Sequence, residues 1–227
     1  MVLYKRGLYF CTVNNVTSYA YDKSYGWSEA WQDRLFRTKL ITGLLLFSGL
    51  LIFLPYFFAY IEKRDGAVLT DRLLQYIPAI DFSVLIFIII WSVFLLAIVR
   101  SVQEPAIFLT MLLCSVALLL LRIITIYLFA LNPPEGLIVL RDPITSLTYG
   151  GRGIFITKDL FFSGHTSNLF MVYLCLPKRK DKIFVLLGSI AVGILVLVQH
   201  VHYSMDVISA FIITFFLVKG TRKLFAV

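Results

Sequence analysis

Long runs of apolar residues, separated by short polar clusters, pattern this chain from about residue 38 onward. Five runs approach the ~20 residues that a helix needs to cross a ~30 Å hydrocarbon core. With a shorter sixth, they lie at about 38–60, 79–99, 105–131, 160–177, 182–201 and from near 203 onward. Pro105 opens the third run, where a first-turn proline is tolerated. The apolar part of the last run, residues 207–218, is 12 residues long. At 1.5 Å per residue a helix of that length covers only ~18 Å. The helix is therefore expected to begin near Tyr203, which draws Asp206 into its first turn.

The fold this predicts is all-α: a polytopic membrane protein with a six-transmembrane-helix bundle over residues 38–222. An N-terminal cytoplasmic segment (1–37) and a short cytoplasmic tail (223–227) flank it. There is no internal repeat and no low-complexity tract. Composition agrees with the pattern. Of 227 residues, 59% are hydrophobic and only 15% charged, more apolar surface than a soluble domain of this length can hide. The first 35 residues are mixed polar and aromatic with no early apolar core, so no cleavable signal is expected. Cys11, Cys114 and Cys175 are far apart, without metal-site spacing or the density of a disulfide framework, and read as inert thiols.

The net charge of +8 does not indicate nucleic acid, because the basic residues sit at the ends of apolar segments rather than in a basic, aromatic-interleaved patch. It reports topology instead. With a cytoplasmic N-terminus, 14 of the 21 lysines and arginines fall inside and six outside, Arg122 being within the third span. Both termini are thus expected in the cytoplasm. The one long linker, residues 132–158, then lies outside, and long loops are often functional.

Three polar features gather at that outer end: "SGHT" (residues 163–166), "HVHYSMD" (residues 200–206) and Arg122. Ser163 can cap a helix, and Gly164 lets a ligand approach the backbone. The helix start offers N–H groups and a positive dipole end, together an anion cradle suited to phosphate. His165 beside it is a proton donor or acceptor. Alone, "SGHT" reads equally as an ordinary cap with an interfacial histidine. His202 and Asp206 are one helical turn apart, so the carboxylate can orient the imidazole for attack on phosphorus. An isolated HxxxD equally describes a capping aspartate. His200, two residues away, faces elsewhere and reads as packing. Arg122 in hydrocarbon is a site candidate, with snorkelling to the outer headgroups as its alternative. Arg141, Arg152 and Lys158 can add charge stabilisation for a phosphate, with simple solvation as the alternative for each. No metal site is expected, since two histidines and an aspartate lack a well-placed third ligand.

These residues resemble the sphingomyelin synthase branch of the lipid phosphatase and phosphotransferase superfamily, which includes the type 2 phosphatidate phosphatases. The resemblance rests on "SGHT" followed about 35 residues later by "HYSMD". It extends to "RIITIYLFALNPP" (residues 122–134), to "TDRLLQYIP" (residues 70–78) and to Asp159, six before His165. Phe162 stands where the phosphatase branch carries proline, and Leu195 and Val196 where it carries Ser-Arg; both departures favour the synthases. Asn132 and Lys158 depart from the synthases, which have proline and glycine there. The first 35 residues match no family pattern.

The resemblance implies His202 as nucleophile, Asp206 orienting it, and His165 protonating the leaving lipid alkoxide. It implies substrate binding by Arg122, Ser163, Gly164, Asp159 and Tyr127. No cofactor is expected. The partners would be membrane lipids: a glycerophospholipid donor of a phosphocholine- or phosphoethanolamine-type headgroup, and a ceramide or diacylglycerol-type acceptor. Water as acceptor would make the same residues a phosphatase. A catalytically silent lipid-binding or transporter-like protein is the remaining alternative. Tyr127, Tyr149, Phe161 and Tyr203 suit a quaternary ammonium, and are equally expected as interfacial aromatics. The tight loops suit a bacterial inner membrane with the site facing the periplasm, a eukaryotic endomembrane with a lumenal site being the alternative.

Overall fold

The structure is a computed structural model describing residues 10–13, 16–19, 26–140 and 156–227. Two short strands, β1 (Phe10–Val13) and β2 (Val16–Tyr19), pair antiparallel with Phe10 opposite Tyr19. This ribbon is not expected from an all-α reading; among the described residues the rest of the regular structure is helical. A short helix, α1 (Trp27–Gln32), leads into α2 (Arg34–Glu62), whose first turn Asp33 caps by accepting Leu35 N–H at 2.8 Å. Then follow α3 (Ser83–Gln103), α4 (Pro105–Leu128), α5 (Gly164–Cys175), α6 (Arg179–Val198) and α7 (Ser204–Phe225).

Five of these helices, α2, α3, α4, α6 and α7, are long and apolar enough to cross a membrane. The distribution of side chains argues for that solvent. Large apolar residues such as Ile52, Val84, Leu95 and Phe216 face outward, while Ser163, Ser167, Gln199, His202 and Asp206 are buried. Lipid makes outward apolar surface favourable and requires polar groups to find partners inside.

The fourth predicted span, 160–177, is a helix only over Gly164–Cys175. Twelve residues rise ~18 Å. Ser163 caps its start, and Pro177, which disfavours helical backbone in the residue before it, follows its end. α5 nevertheless sits centrally, packed against α4, α6 and α7. The buried core runs along it, from Phe162 and Leu169 to Val192, Val207 and Ala210, with the free thiols Cys114 and Cys175 buried as expected.

The two ends of the bundle are held differently. At one, Arg100 makes a bidentate pair with Asp181, Nε to Oδ2 at 2.6 Å and Nη2 to Oδ1 at 3.1 Å, joining α3 to α6. At the other, where α2 and α4 finish and α5 and α7 begin, backbone bonds stitch the loops together. Ala67 N–H reaches Ala130 O, Ile80 N–H reaches Val198 O, and Ile138 N–H reaches Gln199 O. The candidate residues lie at this second end.

Candidate active site

Two helix starts form the site. Ser163 is the N-cap of α5, its Oγ accepting Thr166 N–H at 3.4 Å. Its own N–H donates to the backbone carbonyl of Asp206 at 3.2 Å, tying the start of α5 to the first turn of α7. His165 and His202 are thereby brought face to edge, with ring centroids 6.2 Å apart and planes at 63°.

Asp206 is fully buried behind His202. Its Oδ2 accepts Tyr203 N–H at 3.1 Å and faces His202 Nδ1 at 3.5 Å, an ion-pair distance longer than an ordinary hydrogen bond. Asp206 therefore does both jobs the spacing left open: it caps α7, and it stands beside the imidazole. Its Oδ1 has no hydrogen-bond partner among the described residues.

Arg122 is buried in α4 and pairs with Asp159, which lies just ahead of α5. A buried guanidinium must be compensated, and here one carboxylate does so while Nε is left without a hydrogen-bond partner among the described residues. The guanidinium lies directly on Gly164: a Cβ built there would fall 1.7 Å from Nη1 and 2.4 Å from Cζ. Any side chain at this position would have to push the guanidinium off the helix start. A cation with spare donors, a helix start and two imidazoles thus share one small volume.

Other candidates are not drawn in. Tyr127 is 55% exposed, stacked on Tyr60 and overlain by Arg64. Phe161 packs on Phe129. Lys158 donates its Nζ to Arg64 O. Arg141, Tyr149 and Arg152 lie outside the described residues. His200 is buried with φ 55°, its Nδ1 2.8 Å from Glu135 O and its Nε2 2.9 Å from Ile77 O, so it ties two loops together.

Three further residues hold the loops around the site through bonds between remote segments. Gln199 is fully buried, donating from Nε2 to Ser83 Oγ at 2.8 Å and accepting Phe82 N–H at 3.1 Å. Tyr203 donates its hydroxyl to Asn132 O at 2.9 Å and accepts Leu69 N–H at 3.1 Å. Asp71 accepts Ser204 N–H at 2.6 Å and Ser204 Oγ–H at 2.7 Å with one oxygen, and Leu73 and Leu74 N–H with the other. Burial pushes the Asp71 carboxyl up, but these bonds outweigh it and hold the group below its ordinary value. A cavity of about 420 Å³ opens beside these loops, lined by Asp71, Gln75, Glu135, His200 and Tyr203, and by neither histidine of the pair.

Residues 158–223 match the family described as PAP2 superfamily C-terminal, a stretch that holds both histidines, Asp206 and Asp159 but under a third of the chain. Over that stretch the chain is similar to the type 2 phosphatidate phosphatase superfamily. No curated protein matches the sequence.

Proposed function

We propose that this protein is a lipid phosphotransferase that moves a phospho-headgroup from a glycerophospholipid to a ceramide or similar lipid hydroxyl. The observation that carries the reading is the His165–His202 pair, 6.2 Å apart between centroids, with Asp206 behind one ring and Arg122 on the adjoining helix start.

The geometry supports a two-step path. Asp206 beside Nδ1 leaves Nε2 of His202 as the nucleophile. It attacks phosphorus, and the bond from phosphorus to the diacylglycerol oxygen breaks. His165 gives its proton to that oxygen, releasing diacylglycerol and leaving the phospho-headgroup on His202. The acceptor hydroxyl then loses its proton to His165, and its oxygen takes the phosphorus as the bond to His202 breaks. Arg122 and the N–H groups at the start of α5 stabilise the charge gathered on the phosphoryl oxygens. No metal or other cofactor is invoked. Tyr127 has no role in this path.

In this reading α5, with its flanking segments, is the sixth span. The basic-residue bias then puts both termini in the cytoplasm and the site at the outer leaflet. Phosphatase chemistry uses the same residues with water as acceptor. Mass spectrometry of the lipids formed when purified protein meets mixed phospholipids and ceramide tests the proposal. A ceramide carrying the donor's headgroup, with diacylglycerol, is expected; free phosphate or a free phospho-headgroup instead would make it a hydrolase.

A further inference from the structure

Glu62, the last residue of α2, fastens a segment nearly a hundred positions away. Its Oε1 accepts Thr157 N–H at 2.6 Å and Lys158 N–H at 2.7 Å, and its Oε2 accepts Thr157 Oγ1–H at 2.9 Å. The residue that follows is Asp159, the partner of Arg122.

Residues 156–160 form neither helix nor strand, so no ladder sets their register. Fixing the amides of 157 and 158 on one carboxylate therefore fixes where the side chain of 159 is aimed. Bonds to an ionised acceptor are the strong kind. The same end of α2 also grips α4. Arg64 donates from Nη2 to Ile126 O at 2.7 Å and from Nη1 to Tyr127 O at 2.5 Å, one turn beyond Arg122. Its own carbonyl accepts Lys158 Nζ. The end of α2 thus sets both partners of the Arg122–Asp159 pair relative to each other, and Arg122 in turn lies on Gly164.

We infer that Glu62 is a positioning residue for the phosphate cradle, acting through Asp159 on Arg122. This rests on the phosphoryl-transfer reading above. Glu62 touches neither histidine, so its contribution belongs to binding of the phosphoryl group and not to proton transfer.

The test is a double-variant cycle in full-length protein, with Glu62→Ala, Asp159→Ala and the two combined. Headgroup transfer and the binding of orthovanadate, a phosphate analogue, are both measured. Glu62→Ala is expected to lower kcat/KM and weaken orthovanadate binding about tenfold, the lower end for partners standing behind a site residue. The pH dependence of kcat is expected to stay in place. Glu62→Gln, whose Oε1 still accepts both amides, is expected to fall between. In the Asp159→Ala background, Glu62→Ala should cost nothing further.

Losses that multiply in the double variant, or none with Glu62→Ala, overturn the inference while leaving the phosphoryl-transfer reading standing. A wild-type protein with neither turnover nor orthovanadate binding removes that reading and the inference with it. Should Glu62→Ala not fold, Thr157→Val removes only the 2.9 Å bond. It is expected to weaken orthovanadate binding roughly threefold, the effect of one hydrogen bond, and no change would overturn the inference.

Discussion

The guanidinium of Arg122 rests on the backbone of Gly164 with no room for a methyl group, since a Cβ there would meet Nη1 at 1.7 Å. This contact fixes the cation against the start of α5, one residue from His165. A Gly164→Ala variant must displace the guanidinium from α5. Misplacement of a site group by about 1 Å can cost on the order of 10²-fold in rate. A loss of that order in kcat/KM is expected, read by headgroup transfer, with the protein still folded by circular dichroism.

Arg122 itself should tolerate lysine poorly. A lysine keeps the charge but lacks the planar fork, so it cannot hold Asp159 and a phosphate together. Arg122→Ala is expected to lower kcat by about 10²–10³-fold, the usual effect of losing one preorganised donor. Arg122→Lys should recover only part of that, and full recovery would mean that charge alone matters.

Asp206→Asn separates two roles. The amide oxygen can still accept Tyr203 N–H, so α7 should keep its cap and the melting temperature should hold. The carboxylate that sets the tautomer of His202 and stabilises its positive form is gone, and in the Ser-His-Asp triad the same change costs on the order of 10⁴ in rate. Parallel thermal melts and transfer assays check both halves.

Acid should loosen the loop that carries Asp71. Its carboxyl is depressed in the folded state by the bonds from Ser204, Leu73 and Leu74, against the opposing effect of burial. A depressed group stabilises the fold above its unfolded value, about 3.9. That stability is lost as pH falls below about 4 and through the lower folded value. Melting temperatures of detergent-solubilised protein between neutral pH and pH 3 should fall more steeply for wild type than for Asp71→Asn.

Much of this was legible along the chain. The spans were visible because long apolar runs have no other use, and their ends moved by a few residues where local caps intervened. Asp33 starts α2 earlier than the apolar run does, and Ser163 with Pro177 trims α5 to twelve residues. The site was legible because "SGHT" and "HVHYSMD" are polar where their neighbours are not. Glu62, Gln199 and Asp71 were not legible as partners. Their bonds cross 95, 116 and 133 positions, and a contact between remote segments leaves no periodic trace in either. The β1–β2 ribbon was not legible for a different reason: strands of four residues are too short to leave a clear alternation of apolar and polar positions. Tyr127, which the family resemblance implies for substrate binding, stacks on Tyr60 with its side chain exposed.

In the proposed path His202 carries the phospho-headgroup between two lipids. Purified protein mixed with a phosphatidylcholine and phosphatidylethanolamine donor, without acceptor, should be quenched in alkali and read by tandem mass spectrometry. A phospho-headgroup adduct on His202, lost on adding ceramide and absent from His202→Ala, is the expected result. Turnover without any adduct, or an adduct on another residue, would rule out His202 as the carrier.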